Sequence, residues 1–141
     1  MICLPDVNVW IGLTSNRHVH HALAISWLES LADTRLAFCR ITELGLLRLL
    51  TNGHVMGPDV LTPRQAWRVY DQWRMDPRVD FLLEPAGFGE RWRELGDKVV
   101  GGPNAWTDAY LAAFASATDA AIVKLDRKLN SLGAARVEHL L

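Results

Sequence analysis

Short apolar runs alternate along this chain with longer stretches of helical spacing, and that succession predicts an α/β fold with a mostly parallel central sheet flanked by helices. Residues 2–7 form a first strand that meets a polar break at Asp6-Val7-Asn8, where a parallel strand delivers its C-terminal loop. Val19, Leu23, Trp27, Leu28 and Leu31 then recur at helical spacing. A second strand fits residues 36–41, followed by Thr42 as the N-cap of a helix carrying Leu44, Leu47 and Leu50 and stopped by Gly53. Glu43 falls in the first turn of that helix. Thr62-Pro63-Arg64-Gln65 combines a capping threonine, a proline at the first helical position and a glutamine that completes a capping box, so a helix runs to about Met75. Residues 81–83 read as a short strand, residues 88–95 as a modest helix, and Gly101-Gly102-Pro103 as a break. Residues 104–117 are alanine-rich and read as a closely packed helix, with Asp108 near its start. Residues 121–125 form a buried strand ending at Asp126, and Val137 with its neighbours supplies a last edge strand.

A length of 141 residues suits one domain spanning residues 1–141, and half of these residues are hydrophobic, enough for a core that needs no staples. The pattern excludes a disordered chain. No apolar run reaches membrane length, and Asp6 and Asn8 interrupt the first one where a signal peptide needs continuity, so the expectation is a cytoplasmic protein with no membrane partner. Cys3 and Cys39 lack metal or redox spacing and read as small buried hydrophobes. The net charge of −1 announces no nucleic-acid partner. If four carboxylates were drawn into a metal site, however, the rest of the surface would be mildly basic.

The informative feature is the placement of Asp6, Glu43, Asp108 and Asp126, which follow or end strands or open helices. In an open parallel sheet, groups at the carboxyl ends of strands converge from distant parts of the sequence. Four clustered carboxylates repel one another, and a hard divalent cation with oxygen ligands removes the conflict. Such an ion activates water and stabilises the leaving oxygen in phosphodiester cleavage. Taken singly, each carboxylate is equally well a helix cap or a first-turn residue facing the helix dipole.

Four segments carry a family resemblance: Leu4-Pro5-Asp6-Val7-Asn8-Val9-Trp10, Ile41-Thr42-Glu43-Leu44, Thr107-Asp108-Ala109-Tyr110-Leu111-Ala112-Ala113 and Lys124-Leu125-Asp126-Arg127. In order and spacing they resemble the PIN-domain ribonucleases, specifically the VapC-type toxins of bacterial toxin–antitoxin pairs, over essentially the whole length. The resemblance implies a PIN-like three-layer α/β/α domain with Asp6, Glu43, Asp108 and Asp126 as catalytic, metal-binding positions and Asn8 as the polar residue two after the first Asp. It also implies Mg²⁺- or Mn²⁺-dependent RNA cleavage and inhibition by a cognate antitoxin. The tryptophan content departs from it, with Trp106 directly before the third acidic segment.

Around those four, Asn8 can orient Asp6 or bound water, Asn104 reads as a helix cap or an RNA contact, and Thr42 and Thr107 read as caps whose hydroxyls reach the site. Trp106 is a candidate for base stacking, and Arg40, Arg48, Arg127 and Lys128 are candidates for phosphate. His18, His20 and His21 do not converge at their spacing and read as surface. Trp67, Tyr70 and Trp73 recur at helical spacing and, with the helix bearing Leu44 to Leu50, offer apolar area for a homodimer and a separate antitoxin-binding groove. Two other functions fit a strand-end Asp on this fold: a phosphoaspartyl phosphotransferase, which prefers a second Asp where Asn8 stands, and a non-catalytic partner-binding module.

Overall fold

The structure, a computed structural model, describes residues 1–125 and 135–141. Strands β1 (Ile2–Pro5), β2 (Arg35–Phe38), β3 (Val79–Phe81), β4 (Ala121–Lys124) and β5 (Arg136–His139) form one sheet in the order β3-β2-β1-β4-β5. Every pairing is parallel, so the sheet is wholly rather than mostly parallel. The chain winds outward from β1 through β2 to β3, then returns to lay β4 on the other side of β1. The strand order reverses between β1 and β4, and a crevice opens at the carboxyl ends of the strands where it does so.

The helices of the described residues are α1 (Val7–Thr14), α2 (His21–Ser30), α3 (Arg40–Leu50), α4 (Gly53–Met56), α5 (Pro63–Met75), α6 (Phe88–Gly96) and α7 (Ala105–Thr118). Alternation along the strands sorts the core into two layers. Cys3, Leu36, Phe38 and Val123 face one side with α1, α2, α3 and α5, while Leu4, Ala37 and Ile122 face the other with α6 and α7. The first layer centres on Trp10, which stacks on Phe38 with ring centroids 3.8 Å apart, and Tyr70 meets Phe38 edge-on at 4.9 Å. The small side chains of α7, among them Ala109, Ala112, Ala113 and Ala115, are buried in the second layer and let the helix lie close to the sheet.

Two local expectations change. Residues 7–14 are a helix rather than the tail of a strand and a loop, with Asp6 as N-cap accepting the Val9 N–H at 3.0 Å. Pattern alone conceals this helix, because Val9, Trp10, Ile11 and Leu13 are buried around most of its circumference and leave no polar face to mark the period. Thr42 is not the N-cap of α3. Strand β2 ends at Phe38, Cys39 takes the cap position, and the fully buried Thr42 hydroxyl reaches back to accept the Cys39 N–H at 3.1 Å. The capping box at Thr62 and Gln65 forms as expected and opens α5.

Helices α1 and α3 touch at Gly45, where an added Cβ would lie 2.3 Å from Val7 Cγ2. Alanine has the better helix propensity by up to about 1 kcal/mol, yet overpacking against a stiff β-branched side chain costs about 1–3 kcal/mol. Gly45→Ala is therefore expected to lower stability by about 1 kcal/mol in denaturant unfolding, and Val7→Ala in the same chain to recover part of the loss. At the β3 edge, Arg35 donates through Nε to Asp80 at 2.6 Å, and this hydrogen bond holds the Asp80 carboxyl below its ordinary value of 3.8. A depressed carboxylate contributes stability above its unfolded pKa and loses it as pH falls through the folded one. Asp80→Asn should accordingly lower the melting temperature at neutral pH, and only slightly for so exposed a pair. The gap from the parent should close as pH drops below 3.8.

Candidate active site

The site begins with backbone pairing. Pro5 lies opposite Val123 in the parallel register, and the Asp6 N–H donates to the Val123 carbonyl at 2.9 Å, so Asp6 and Lys124 emerge side by side from the sheet edge. One Asp6 oxygen, Oδ1, caps α1; the other, Oδ2, lies 3.7 Å from Lys124 Nζ. Asp108 enters from the first turn of α7, and its Oδ1 accepts from the same ammonium at 3.0 Å. Asp6 and Lys124 are both buried, at 8% and 6% exposure. Among the described residues, the two carboxylates thus share one buried ammonium.

Around it is a cavity of about 820 Å³. Its polar lining comprises Asp6, Asn8, Arg48, Thr51, Asn52, Asn104, Thr107, Asp108 and Lys124, and Ile41, Leu44, Gly45 and Leu111 contribute apolar wall. Asn8 stands exposed in the first turn of α1. Asn104 occupies the cap position of α7 without a side-chain capping bond and belongs to the cavity lining. Arg48 is exposed on α3 and lends positive charge to the wall. The site therefore offers acid oxygens at its base, a buried cation between them, and amide, hydroxyl and guanidinium groups above.

Glu43 does not join it. The cavity takes Ile41, Leu44, Gly45 and Arg48 from α3, and at about 100° per residue Glu43 lies roughly 150° around the helix from that stripe. Its buried carboxylate instead accepts from Arg40 Nη1 at 2.7 Å and holds that guanidinium 4.7 Å over the Phe81 ring. Tyr70 packs beside it, and burial above all pushes the Tyr70 hydroxyl up to about 12, with Glu43 adding to the effect. Among the described residues no set of three or more potential metal-ligating Asp, Glu, His or Cys side chains forms, and of the four expected carboxylates Asp6 and Asp108 are the two that line the cavity. Placement beside the other acids and the family resemblance had suggested Glu43, whereas the helix phase set by α1 packing at Gly45 turns Ile41, Leu44 and Arg48 toward the cavity. Asp126 and Arg127 lie outside the described residues, as does Lys128.

Trp106 is also turned elsewhere. It packs over Gly96 of α6, where an added Cβ would lie 3.2 Å from the indole, and meets Trp92 edge-on at 5.8 Å, and it is absent from the lining that Asn104, Thr107 and Asp108 share. Thr42 is consumed by its bonds to Cys39. Burial pushes the thiols of Cys3 and Cys39 up and keeps them unreactive. His18 Nδ1 accepts the His20 N–H, and His21 donates through Nδ1 to the Gly12 carbonyl, so these rings serve the α1–α2 connection. The residue that sequence reasoning missed is Lys124. Its signal was available: a lysine at the end of an otherwise apolar strand must find a partner once buried.

As a cation site, the geometry passes a simple test, since Asp6 and Asp108 reach one cation together and a hard divalent ion commonly takes only one or two carboxylates directly.

Comparison with known proteins places this arrangement. Residues 3–135 match the PIN domain. The chain is 38% identical over 135 residues to Ribonuclease VapC41 of Mycobacterium tuberculosis, covering 92% of each chain. It is 33% identical over 134 residues to Ribonuclease VapC29 of the same organism, covering 94% of this chain and 91% of the relative. Among solved structures, VapBC2 from Rickettsia felis bound to a promoter DNA fragment superposes with a TM-score of 0.69 at 20% identity, over 99% of this chain and 98% of the other. DNA-bound VapBC from Salmonella typhimurium gives 0.68 at 16% identity, over 100% and 99%. The carboxylates at the switch point thus sit on a known scaffold, and the chain belongs to the PIN-domain family, among its VapC-type members.

Proposed function

We propose that this chain is a divalent-metal-dependent endoribonuclease, the toxin of a toxin–antitoxin pair, restrained by a cognate antitoxin. The observation that carries the reading is the convergence of Asp6 and Asp108 on one buried cation at the base of a polar cavity. Relatives bearing the name ribonuclease, and neighbours that are VapBC complexes, support the substrate class and the partner. Asp6 and Asp108 would hold Mg²⁺, or Mn²⁺ in its place, and Asp126 is proposed as a further ligand from its place in the sequence, two residues after Lys124. When bound, the ion supplies activation of water and stabilisation of negative charge on the phosphoryl and leaving oxygens.

The chain's own groups do the rest. Asp6 is held in one rotamer by capping α1, so its remaining oxygen is aimed before any ligand arrives. Arg48 offers the RNA backbone a fixed positive charge at the cavity wall, and Asn8, Asn104 and Thr107 offer hydrogen bonds to sugar and phosphate oxygens. Glu43 serves indirectly by fixing Arg40 beside Phe81. A homodimer and a cytoplasmic location are further parts of the proposal; no helix among the described residues is long and apolar enough to cross a membrane. No feature of the cavity favours the phosphotransferase alternative, in which position 8 would carry a second acid.

Asp6→Asn and Asp108→Asn should each reduce RNA cleavage by roughly 100-fold or more and abolish the rise in melting temperature that Mn²⁺ produces in the parent. Glu43→Gln should retain that Mn²⁺-dependent rise. Cleavage of total RNA with mapped 5′ ends, read beside the melting curves, checks both. Full activity in Asp108→Asn, or loss of the Mn²⁺ effect in Glu43→Gln, would contradict the assignment.

A further inference from the structure

We infer that Lys124 is an internal counter-cation that competes with the metal ion for Asp6 and Asp108, so metal binds only as the Lys124 ammonium leaves the pair. The inference rests on the metal-site reading above and extends it to a residue outside the acidic set. Lys124 is the last residue of β4, and its side chain is 7% exposed. Its ammonium lies 3.0 Å from Asp108 Oδ1 and 3.7 Å from Asp6 Oδ2, the same two carboxylates proposed to receive the ion. A divalent ion bridging these two oxygens would stand where the ammonium now stands, and two cations cannot share that place without strong repulsion in a partly buried pocket.

The surroundings permit that movement. Lys124 itself lines the cavity of about 820 Å³, so its four-carbon stem has open volume in which to swing without unpacking the strand. In the metal-free chain the ammonium has a second effect: it shields Asp6 from Asp108 and stabilises the fold at the point where their repulsion would otherwise act. Competition therefore predicts effects of opposite sign when the charge is removed. The metal-free protein should lose stability while its metal affinity rises.

Calorimetric titration of the metal-free full chain with Mn²⁺ tests this in the parent and in Lys124→Met, which keeps the length of the side chain without its charge. The variant should bind Mn²⁺ roughly tenfold more tightly or better, melt at a lower temperature without metal, and show the larger Mn²⁺-induced rise. Equal or weaker affinity in the variant would overturn the inference. Acylation of the unaltered chain, followed by mass spectrometry, keeps the question decidable if the variant does not fold. Lys124 should react faster when Mn²⁺ is added, relative to the exposed Lys98 in the same molecule. An unchanged or slower rate would likewise overturn the competition. Failure of both proteins to take up Mn²⁺ would remove the metal-site reading along with it, whereas uptake at equal affinity removes only the role given to Lys124.

Discussion

The parallel pairing of β1 with β4 is the constraint on which the site depends. Their residues are more than a hundred positions apart, yet the register Cys3 to Ala121, Leu4 to Ile122 and Pro5 to Val123 brings both strands to the same edge at the same height. The Asp6 N–H bond to Val123 extends the ladder by one step, and the next side chains on the two strands are then an acid and a base. Because β4 is buried on both faces, this register is not free to slip. A shift by one residue would drive Lys124 into a core layer and turn Ile122 and Val123 to the wrong sides.

Charge compensation follows from that placement. Lysine at the end of a buried strand is costly unless paired, and a buried Asp6 beside a half-buried Asp108 is costly unless neutralised, so each makes the other tolerable. Asp6 contributes twice, since its first oxygen closes the N-terminus of α1 while its second faces the ammonium. The same residue therefore couples the start of a core helix to the electrostatics of the cavity. This helix carries Trp10 into the aromatic stack with Phe38 and Tyr70, so the polar base of the site is backed directly by the aromatic part of the core.

The other wall of the cavity is a matter of helix phase. Gly45 lets α3 approach Val7 of α1 more closely than any side chain would permit, and that contact turns Ile41, Leu44, Gly45 and Arg48 toward the opening. Glu43 is turned with equal necessity toward Arg40 and Tyr70. Near α7 the division is similar: Thr107 and Asp108 face the cavity while Trp106, one or two positions away, faces α6. Adjacent residues on a helix point in different directions, so a short motif read as a unit is divided between two environments.

By itself the sequence determined what depends on local chemistry and on period. The alternation of apolar runs and helical stretches predicted the layered α/β order, the Thr62 and Gln65 capping box predicted the start of α5, and acids at strand ends and helix starts singled out Asp6 and Asp108 among four candidates. It concealed α1, because a helix buried on nearly all sides shows no polar stripe, and it misjudged the cap of α3 by three residues, because Cys39 offers no familiar capping signal. Only the tertiary structure decided which groups meet. Helix phase at Gly45 removed Glu43 from the cavity, packing on α6 removed Trp106, and strand register brought in Lys124, whose role is invisible until two distant carboxylates are set around its ammonium. Spacing along a chain constrains contacts within one element; contacts between elements are fixed by register and phase, which arise only when the core closes.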